Sequence, residues 1–307
     1  MNYTLSQLTI FLKVVENQSI TKAAAELLLT QPAVSIQLKN FQSHFDLPLT
    51  QVVNRKLYIT EFGKEIAQTA ERILEEANEI KFKTAAYKGK ITGQLKISVV
   101  STGKYVIPYF LADFLATHPE IDLKLDVSNK SQIIEDLASN SVDFSLVSIL
   151  PEKLNLERIQ LMKNKLFLVS HKDFTDVSGE SIHNIPSNTP FIFRESGSAT
   201  RIAMEGYLNR QKFSFNRKLI LTSNEAVKQA VIAKLGLSIM PLIGIKNELI
   251  NKQLKIIPVK NLPLTSEWNV VWMKGKRMFP AAKAYIEFLE KEKDRIIQEH
   301  FSWNNDY

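Results

Sequence analysis

Residues 19–63 read SITKAAAELLLTQPAVSIQLKNFQSHFDLPLTQVVNRKLYITEFG. Ser19 is a short hydroxyl residue suited to cap a helix, and Ala23, Ala24, Leu27 and Leu28 fall on that helix's packing side. The alanines let it approach a neighbour closely. Thr30 can cap the next helix, and Pro32 falls in its first turn, where a missing N–H costs nothing. Val34, Leu38, Phe41 and Phe45 form the buried stripe of this helix, while Ala33, Ser35, Gln37 and Asn40 lie elsewhere on its surface. Upstream, Leu5, Leu8, Phe11, Leu12 and Val15 trace an earlier apolar stripe. Two short helices joined by a tight turn, the second with a polar outer face, predict a helix-turn-helix. After Pro48, VVNRKLYIT reads as two short strands meeting at Asn54-Arg55-Lys56. A basic hairpin tip beside such a helix pair is a wing able to touch phosphates, the plain alternative being a solvated turn.

Charge alone does not carry this expectation. The net charge is +7, compatible with a polyanionic partner. Within residues 1–60, however, Lys13, Lys22, Lys39, Arg55 and Lys56 stand against Glu16, Glu26 and Asp46, so most of the excess lies elsewhere. Cysteine is absent, which excludes a disulfide framework, a thiolate metal site and a cysteine nucleophile. The 5 histidines show no ligand spacing, and no metal or cofactor is expected. Lys13 and Glu16 interrupt the apolar opening, and no basic leader or membrane-length apolar run occurs, so a cytoplasmic protein is expected.

Downstream of residue 60 the texture changes twice. Ile66, Ala70, Ile73, Ala77, Ile80, Thr84 and Tyr87 keep alternating four- and three-residue steps, the spacing of a heptad seam. A helix over 61–87 with so narrow a stripe predicts pairing with a second subunit; the alternative is a helix lying on its own domain. KGKITGQ, 88–94, reads as a hinge. From Leu95, LKISVV, IDLKLDVS, DFSLVSI, LFLVS, FIFRE, RKLILTS, LSIMP, LKIIPV and WNVVWMK read as strands alternating with helices. That order predicts mostly parallel sheets. Roughly 215 residues are too many for one compact sheet. Two α/β lobes are expected, 95–164 with 266–300 and 165–265, the chain crossing near 162–165 and 265–268. Trp268 and Trp272 read as packing residues.

The run from Ser19 to Gly63 resembles the winged helix-turn-helix of LysR-type transcriptional regulators: the AA pair, the TQPAVS helix start and the T-E-x-G opening the linker helix all match. The resemblance spans the chain. It implies a winged module at 1–60, a dimerising linker helix at 61–87, and a two-lobed effector domain of periplasmic-binding-protein type. It also implies a homodimer, commonly assembled into a homotetramer, and a small-molecule co-inducer in the interlobe cleft. VVSTGKYVIPYFLADFLATHPEIDLKLDVSN and FIFRESGSATR look like the subgroup that includes regulators of carbon-fixation operons; sulfur-assimilation regulators share a similar cleft. The pattern departs at Ile36, where many members carry a basic residue, and at Thr50 and Gln51, usually aromatic and acidic.

Candidate DNA contacts are Gln31, Pro32, Ser35 and Ile36 at the start of the recognition helix, with Lys39, Arg55 and Lys56 on phosphates. Gln pairs bidentately with adenine in the major groove, and Ile36 suits a thymine methyl. Thr30 has two candidate roles, helix cap and DNA contact. For the co-inducer, Ser101-Thr102-Gly103 ends the first lobe's first strand, with a helix expected from about Lys104. Hydroxyls, free N–H groups and a helix dipole suit an anion there, at the strand ends where open α/β sheets hold ligands. Ser128, Asn129 and Ser148 end the next strands; Arg194, Ser196, Ser198, Thr200 and Arg201 form a facing turn from the second lobe, and Asn224 lies at a further strand end. The competing role of these Ser and Thr side chains is ordinary helix capping, and that of Arg194 is an ion pair with Glu195 or another carboxylate.

The expected function is therefore a DNA-binding regulator, binding double-stranded promoter DNA and a small anionic metabolite, contacting RNA polymerase and most commonly activating. An enzyme on the two-lobed region is the alternative, and a solute-binding transport protein a third class. Neither accounts for the first ninety residues, and no GxGxxG, P-loop or Ser-His-Asp spacing is present.

Overall fold

The computed structural model describes residues 3–54, 56–87, 90–175 and 181–307. The chain divides into two compact units, Met1–Lys90 and Ile91–Tyr307.

In the first unit, α1 (Leu5–Asn17) opens on a capping box, Gln7 N donating to Thr4 Oγ1 and Thr4 N to the Gln7 side chain. α2 (Ile20–Glu26) is capped by Ser19 and α3 (Gln31–Gln42) by Thr30, with Pro32 in the first turn as expected. Phe11, Val14, Ala23, Val34 and Phe41 are fully buried where the three helices meet. Each of these Phe and Val side chains contributes about 1.5–3 kcal/mol of transfer free energy. Phe45 packs on this core from beyond the end of α3, not from within its stripe. β1 (Thr50–Val53) and β2 (Lys56–Ile59) form the expected antiparallel hairpin, turning at Asn54 with φ 51°. Gln42 Oε1 accepts from both Thr50 N and Thr50 Oγ1, fixing the hairpin to the end of α3. α4 (Glu61–Tyr87) follows. Thr60 Oγ1 accepts from Gly63 N and donates to Pro48 O, and Gly63 runs against the Leu49 carbonyl. That contact accounts physically for the T-E-x-G run.

The seam of α4 has two fates. Ala70 is buried in the module's own core, joined by Ile66 and Ile73, whereas Ile80 is 71% exposed and Thr84 is exposed. The first half of the expected dimer seam is thus core of its own module. The Tyr87 side chain lies outside the described residues.

The second unit begins with β3 (Gly93–Val100), so the last two residues of the expected hinge belong to a strand; 88 and 89 lie outside the described residues. α5 (Ile107–Thr117), β4 (Ile121–Ser128), α6 (Lys130–Ala138) and β5 (Phe144–Val147) complete the first βαβαβ run. β6 is a single 16-residue strand, Leu156–His171. Then come β7 (Phe191–Arg194), α7 (Ala199–Arg210), β8 (Lys218–Leu221), α8 (Asn224–Ile232), β9 (Ser238–Pro241), α9 (Lys246–Ile250), β10 (Leu254–Ile256), β11 (Leu264–Met273) and α10 (Pro280–Phe301).

One sheet runs β10-β6-β11-β5-β3-β4, with β9 also on β6; β7 and β8 form a separate parallel pair. The expectation of mostly parallel strands fails for β6 and β11. They carry the chain out to the second lobe and back, so they must run antiparallel; β11 pairs along nearly its whole length with the first two thirds of β6, whose end pairs with β9 and β10. Their register shifts between Glu267 and Asn269, near the expected return crossing. One hydrophobic core fills the first lobe and two flank the second lobe's strands. Trp268 and Trp272 are both buried in the first, as packing residues. The C-terminal helix extends to Phe301, past the expected boundary at 300. The 3-10 turn after it sets Trp303 on the second lobe, while Lys165 Nζ donates to the carbonyls of Asn304 and Tyr307.

Candidate functional site

In the first unit, burial of Val34, Leu38 and Phe41 turns the opposite face of α3 outward. Gln31, Pro32, Ile36 and Lys39 are exposed there and Ser35 is half-buried. Ile36 is 59% exposed, an aliphatic side chain that the module's fold leaves in solvent. Thr30 Oγ1 accepts from Ala33 N, so its cap role is the one realised. Lys39 and Lys56 have no ion-pair partner among the described residues. Lys13, by contrast, is held by Glu16 and Glu26, whose hydrogen bonds raise its pKa. The free cations of α3 and the hairpin are therefore available to phosphate. Arg55 lies outside the described residues. Sequence reasoning missed Leu28, 92% exposed and held at φ 55° in the turn between α2 and α3; its apolar identity had suggested a core position.

In the second unit, a cleft brings together residues from five strand ends and helix starts: Ser101 and Thr102, Ser128 and Asn129, Arg194, Ser198 and Thr200, and Asn224. The gap between them is about 20 Å³, room for little more than one water molecule. Side chains of both lobes meet across it. Asn224 Nδ2 donates to Ser101 Oγ across the cleft at 3.3 Å. Gly197, at φ +84°, comes so near Ser131 that a Cβ would lie 3.2 Å from its hydroxyl. Tyr105 of the first lobe donates to Glu225 of the second.

The capping alternative divides these residues. Asn129 is a cap, its side chain accepting from Gln132 N. Ser198 heads α7 yet makes no cap hydrogen bond, and Thr102 makes none either; each is 5% exposed. Two buried hydroxyls from opposite lobes thus face the cleft without a capping task. The helix expected near Lys104 is a 3-10 turn over Gly103–Tyr105, and α5 proper starts at Ile107, so the dipole at that point is weak. The well-formed helix start is that of α7.

Of the two expected arginines, Arg194 lines the cleft but takes its alternative role, an ion pair with Glu195, and Arg201 needs correction. Arg194 is 5% exposed, and its Nε and Nη2 both donate to Glu195 at 2.8 Å. Arg201 does not line the cleft; it donates to Glu205 and to the Arg194 carbonyl. Burial, the largest single influence on Glu205, raises its pKa. Hydrogen bonds from Lys218 and Arg201 outweigh it and hold the carboxyl below its usual range. Both guanidiniums are thus neutralised by near neighbours in sequence. Gly103, Lys104 and Ser196 do not line the cleft either: Gly103 is packed on Val99 and Leu146, and Lys104 lies over the Tyr105 ring. Among the described residues, the lining cation without a carboxylate partner is Lys130, in the first turn of α6, which sequence reasoning missed. Its position next to the expected Asn129 was the available signal. Ser148 lines an adjoining second chamber with Asn164, Gly206 and Ser266.

Among the described residues no cluster of three or more His, Asp or Glu could hold a metal, and no helix is long and apolar enough to cross a membrane.

Two family models match: the bacterial regulatory helix-turn-helix protein, lysR family, over residues 5–64, and the LysR substrate binding domain over 88–294. The chain is 33% identical to the HTH-type transcriptional activator CmpR of a Synechocystis strain, over 94% of this chain and 95% of that protein. It is 36% identical to a RuBisCO operon transcriptional regulator of Allochromatium vinosum, over 96% and 98%. Among solved structures it is similar to the Synechocystis CcmR regulatory domain in complex with 2-PG, at 30% identity and TM-score 0.60, covering 64% of this chain and 96% of that one. Full-length CbnR complexed with its target DNA shares the fold, at 18% identity and TM-score 0.69, covering 94% and 99%.

Proposed function

The chain belongs to the LysR family of bacterial transcriptional regulators, and from that premise we propose that it binds promoter DNA as a homo-oligomer and switches a carbon-assimilation operon in response to a small anionic metabolite held between its lobes. The full-length relative named for a RuBisCO operon and the CcmR domain named with 2-PG support the operon and the ligand class. The two-lobed enzyme considered from sequence is set aside, because relatives matching over nearly their whole length are regulators.

The observation that carries the ligand reading is the pair Thr102 and Ser198, buried hydroxyls of opposite lobes with no capping hydrogen bond, beside the start of α7 and the unpaired Lys130. An anion seated there takes hydroxyl, backbone N–H and ammonium donors at once. It favours the closed arrangement because donors from both lobes reach it together. Only such a difference in affinity between two arrangements lets a ligand act as a switch. On DNA, α3 enters the major groove with Gln31, Ser35 and Ile36 toward base edges, while Lys39, Lys56 and Arg55 meet phosphates. The exposed end of the α4 seam pairs two copies, and two such dimers make the tetramer. Ligand closure then changes DNA bending and contact with RNA polymerase, with activation the outcome.

Footprinting of the purified full chain on the region upstream of a carbon-fixation operon, with and without 2-phosphoglycolate, tests this. Protection of an interrupted dyad whose extent changes with the anion is expected. Binding no better than to random duplex overturns the proposal.

A further inference from the structure

The chain leaves the first lobe at the end of α10 and lands on the second. Leu289, Ile296 and Phe301 of α10 are buried in the first lobe's core. Just beyond, Trp303 packs on a core of the second lobe, and Lys246 of α9 holds its Nζ 4.5 Å from the centre of the Trp303 ring. The turn Ser302–Asp306 is thus a tie between the lobes separate from the paired strands β6 and β11.

The tie is fastened at the crossing itself. Lys165 Nζ donates to the carbonyls of Asn304 and Tyr307 at 2.8 and 2.7 Å, and Asn304 Nδ2 donates to the Lys163 carbonyl at 3.2 Å. Lys163 and Lys165 stand on β6 between Met162 of the first lobe's core and Leu166 of the second's. Successive side chains of a strand leave by opposite faces. Asn164 and Leu166 line the chamber beside the cleft, so Lys165 reaches the tie on the other face of β6. Residues 302–307 line neither the cleft nor that chamber.

The landing site on the second lobe is itself held by the first. Leu242 lies in a core of the second lobe, whereas its neighbour Ile243 packs on the core of the first. A Cβ at Gly244 would meet the Tyr105 ring at 3.3 Å. The Tyr105 hydroxyl donates to Glu225, which shares Lys228 with Glu248 of α9. The stretch 242–248 is therefore gripped at two points, by Tyr105 and by Trp303.

We infer that residues 302–307 are a strap that holds the two lobes at a fixed angle, and that its docking on Lys165 and α9 controls the cleft without touching the ligand. Trp303 and Asn304 are half-buried and the other residues of the strap are exposed, so it can lift without unfolding either lobe. Docked, it confines the lobes to the arrangement in which donors of both line the cleft. Lifted, it lets them sample others, and a ligand that needs both lobes binds only to the fraction still competent. The effect on affinity rests on the anion-sensing function proposed above; the restraint on the lobes does not.

The chain has no cysteine, so two introduced ones carry spin labels alone. Glu287 on α10 and Asn209 on α7 are exposed and belong to different lobes. Pulsed dipolar spectroscopy of the full chain carrying Glu287→Cys and Asn209→Cys, diluted into unlabelled protein, measures the interlobe distance without ligand. Trp303→Ala should broaden the distribution to about twice its width as further arrangements become populated. Lys165→Met, which removes only the ammonium donor, should broaden it in the same way. A distribution as narrow in Lys165→Met as in the parent overturns the strap. In both variants 2-phosphoglycolate should bind about fivefold more weakly. An affinity that stays put while the distances broaden overturns the control of the cleft. If the parent does not bind 2-phosphoglycolate, the anion reading fails and the distances alone decide the strap.

Discussion

Gly63 runs so close beneath the Leu49 carbonyl that a Cβ at position 63 would stand 2.1 Å from the oxygen. The contact locks the first turn of α4 onto the segment that leads into the hairpin. Thr60 completes it by accepting from Gly63 N and donating to Pro48 O. Gly63→Ala must push the two backbones apart, at a cost of about 1–3 kcal/mol. Thermal unfolding of the full chain by circular dichroism should show the first unit melting earlier and the second unchanged. An unmoved first transition would contradict this packing.

Among the described residues, Lys39 and Lys56 are unpaired cations on α3 and the hairpin. Lys39→Ala and Lys56→Ala should each flatten the dependence of log affinity on log salt by about 0.9, with sequence preference kept. Gln31→Ala should instead relax preference at one base pair by about 1–3 kcal/mol, leaving the salt slope alone. Operator titrations at several salt concentrations separate the two behaviours.

Ile80 is 71% exposed on α4, while Ala70 is buried in the module's own core. Ile80→Glu should weaken self-association at least tenfold, given about 1.5–3 kcal/mol for one buried aliphatic side chain. Ala70→Glu should unfold the module. Sedimentation equilibrium reads the first, and an association constant indifferent to Ile80→Glu would place the subunit contact elsewhere.

The Arg194–Glu195 pair predicts a gain by loss. Glu195→Gln leaves a nearly buried guanidinium without its counter-charge beside the cleft. The free protein should be less stable, and 2-phosphoglycolate should bind about tenfold tighter, the anion taking the place of the carboxylate. Thermal-shift titration measures both quantities; weaker binding would show that Arg194 does not face the ligand.

Glu225 accepts from Gln229, Lys228 and Tyr105, and those hydrogen bonds, that of Gln229 foremost, hold its pKa below the usual carboxylate range against the opposing effect of burial. A lowered folded-state pKa stabilises fully above the unfolded value of about 4.3 and is lost as pH falls through the folded value. The stability gap between wild type and Glu225→Gln should therefore be constant above about pH 5 and close at lower pH. A gap that widens with acid would reverse the sign.

The helix-turn-helix was legible because its signals are local. Ser19 and Thr30 cap, Pro32 opens a helix, and the apolar stripes close on one another. The cleft was legible in outline, since strand ends in an α/β fold converge whatever their sequence separation. What escaped depends on partners. FIFRESGSATR offers Glu195 as a partner for Arg194 but does not decide between it and an anion, which would serve equally, and the partner of Arg201 lies beyond that run, at Glu205. The 16-residue β6 was hidden by the charged run LERIQLMKNK, whose outward residues belong to a strand passing between lobes. The second chamber needs Asn164, Gly206 and Ser266 brought together, which no spacing announces.

The shared strands β6 and β11 also decide how the lobes can move. A ladder hydrogen-bonded along its length tolerates twist but not sliding, because sliding by even one residue would exchange every partner. The register shift at Glu267, fastened by Asn269 Nδ2 on the Glu267 carbonyl, is the compliant spot. Such a ladder has the character of a torsion bar: a metabolite drawing the lobes together would load it with torque about the strand axis, not thrust along it.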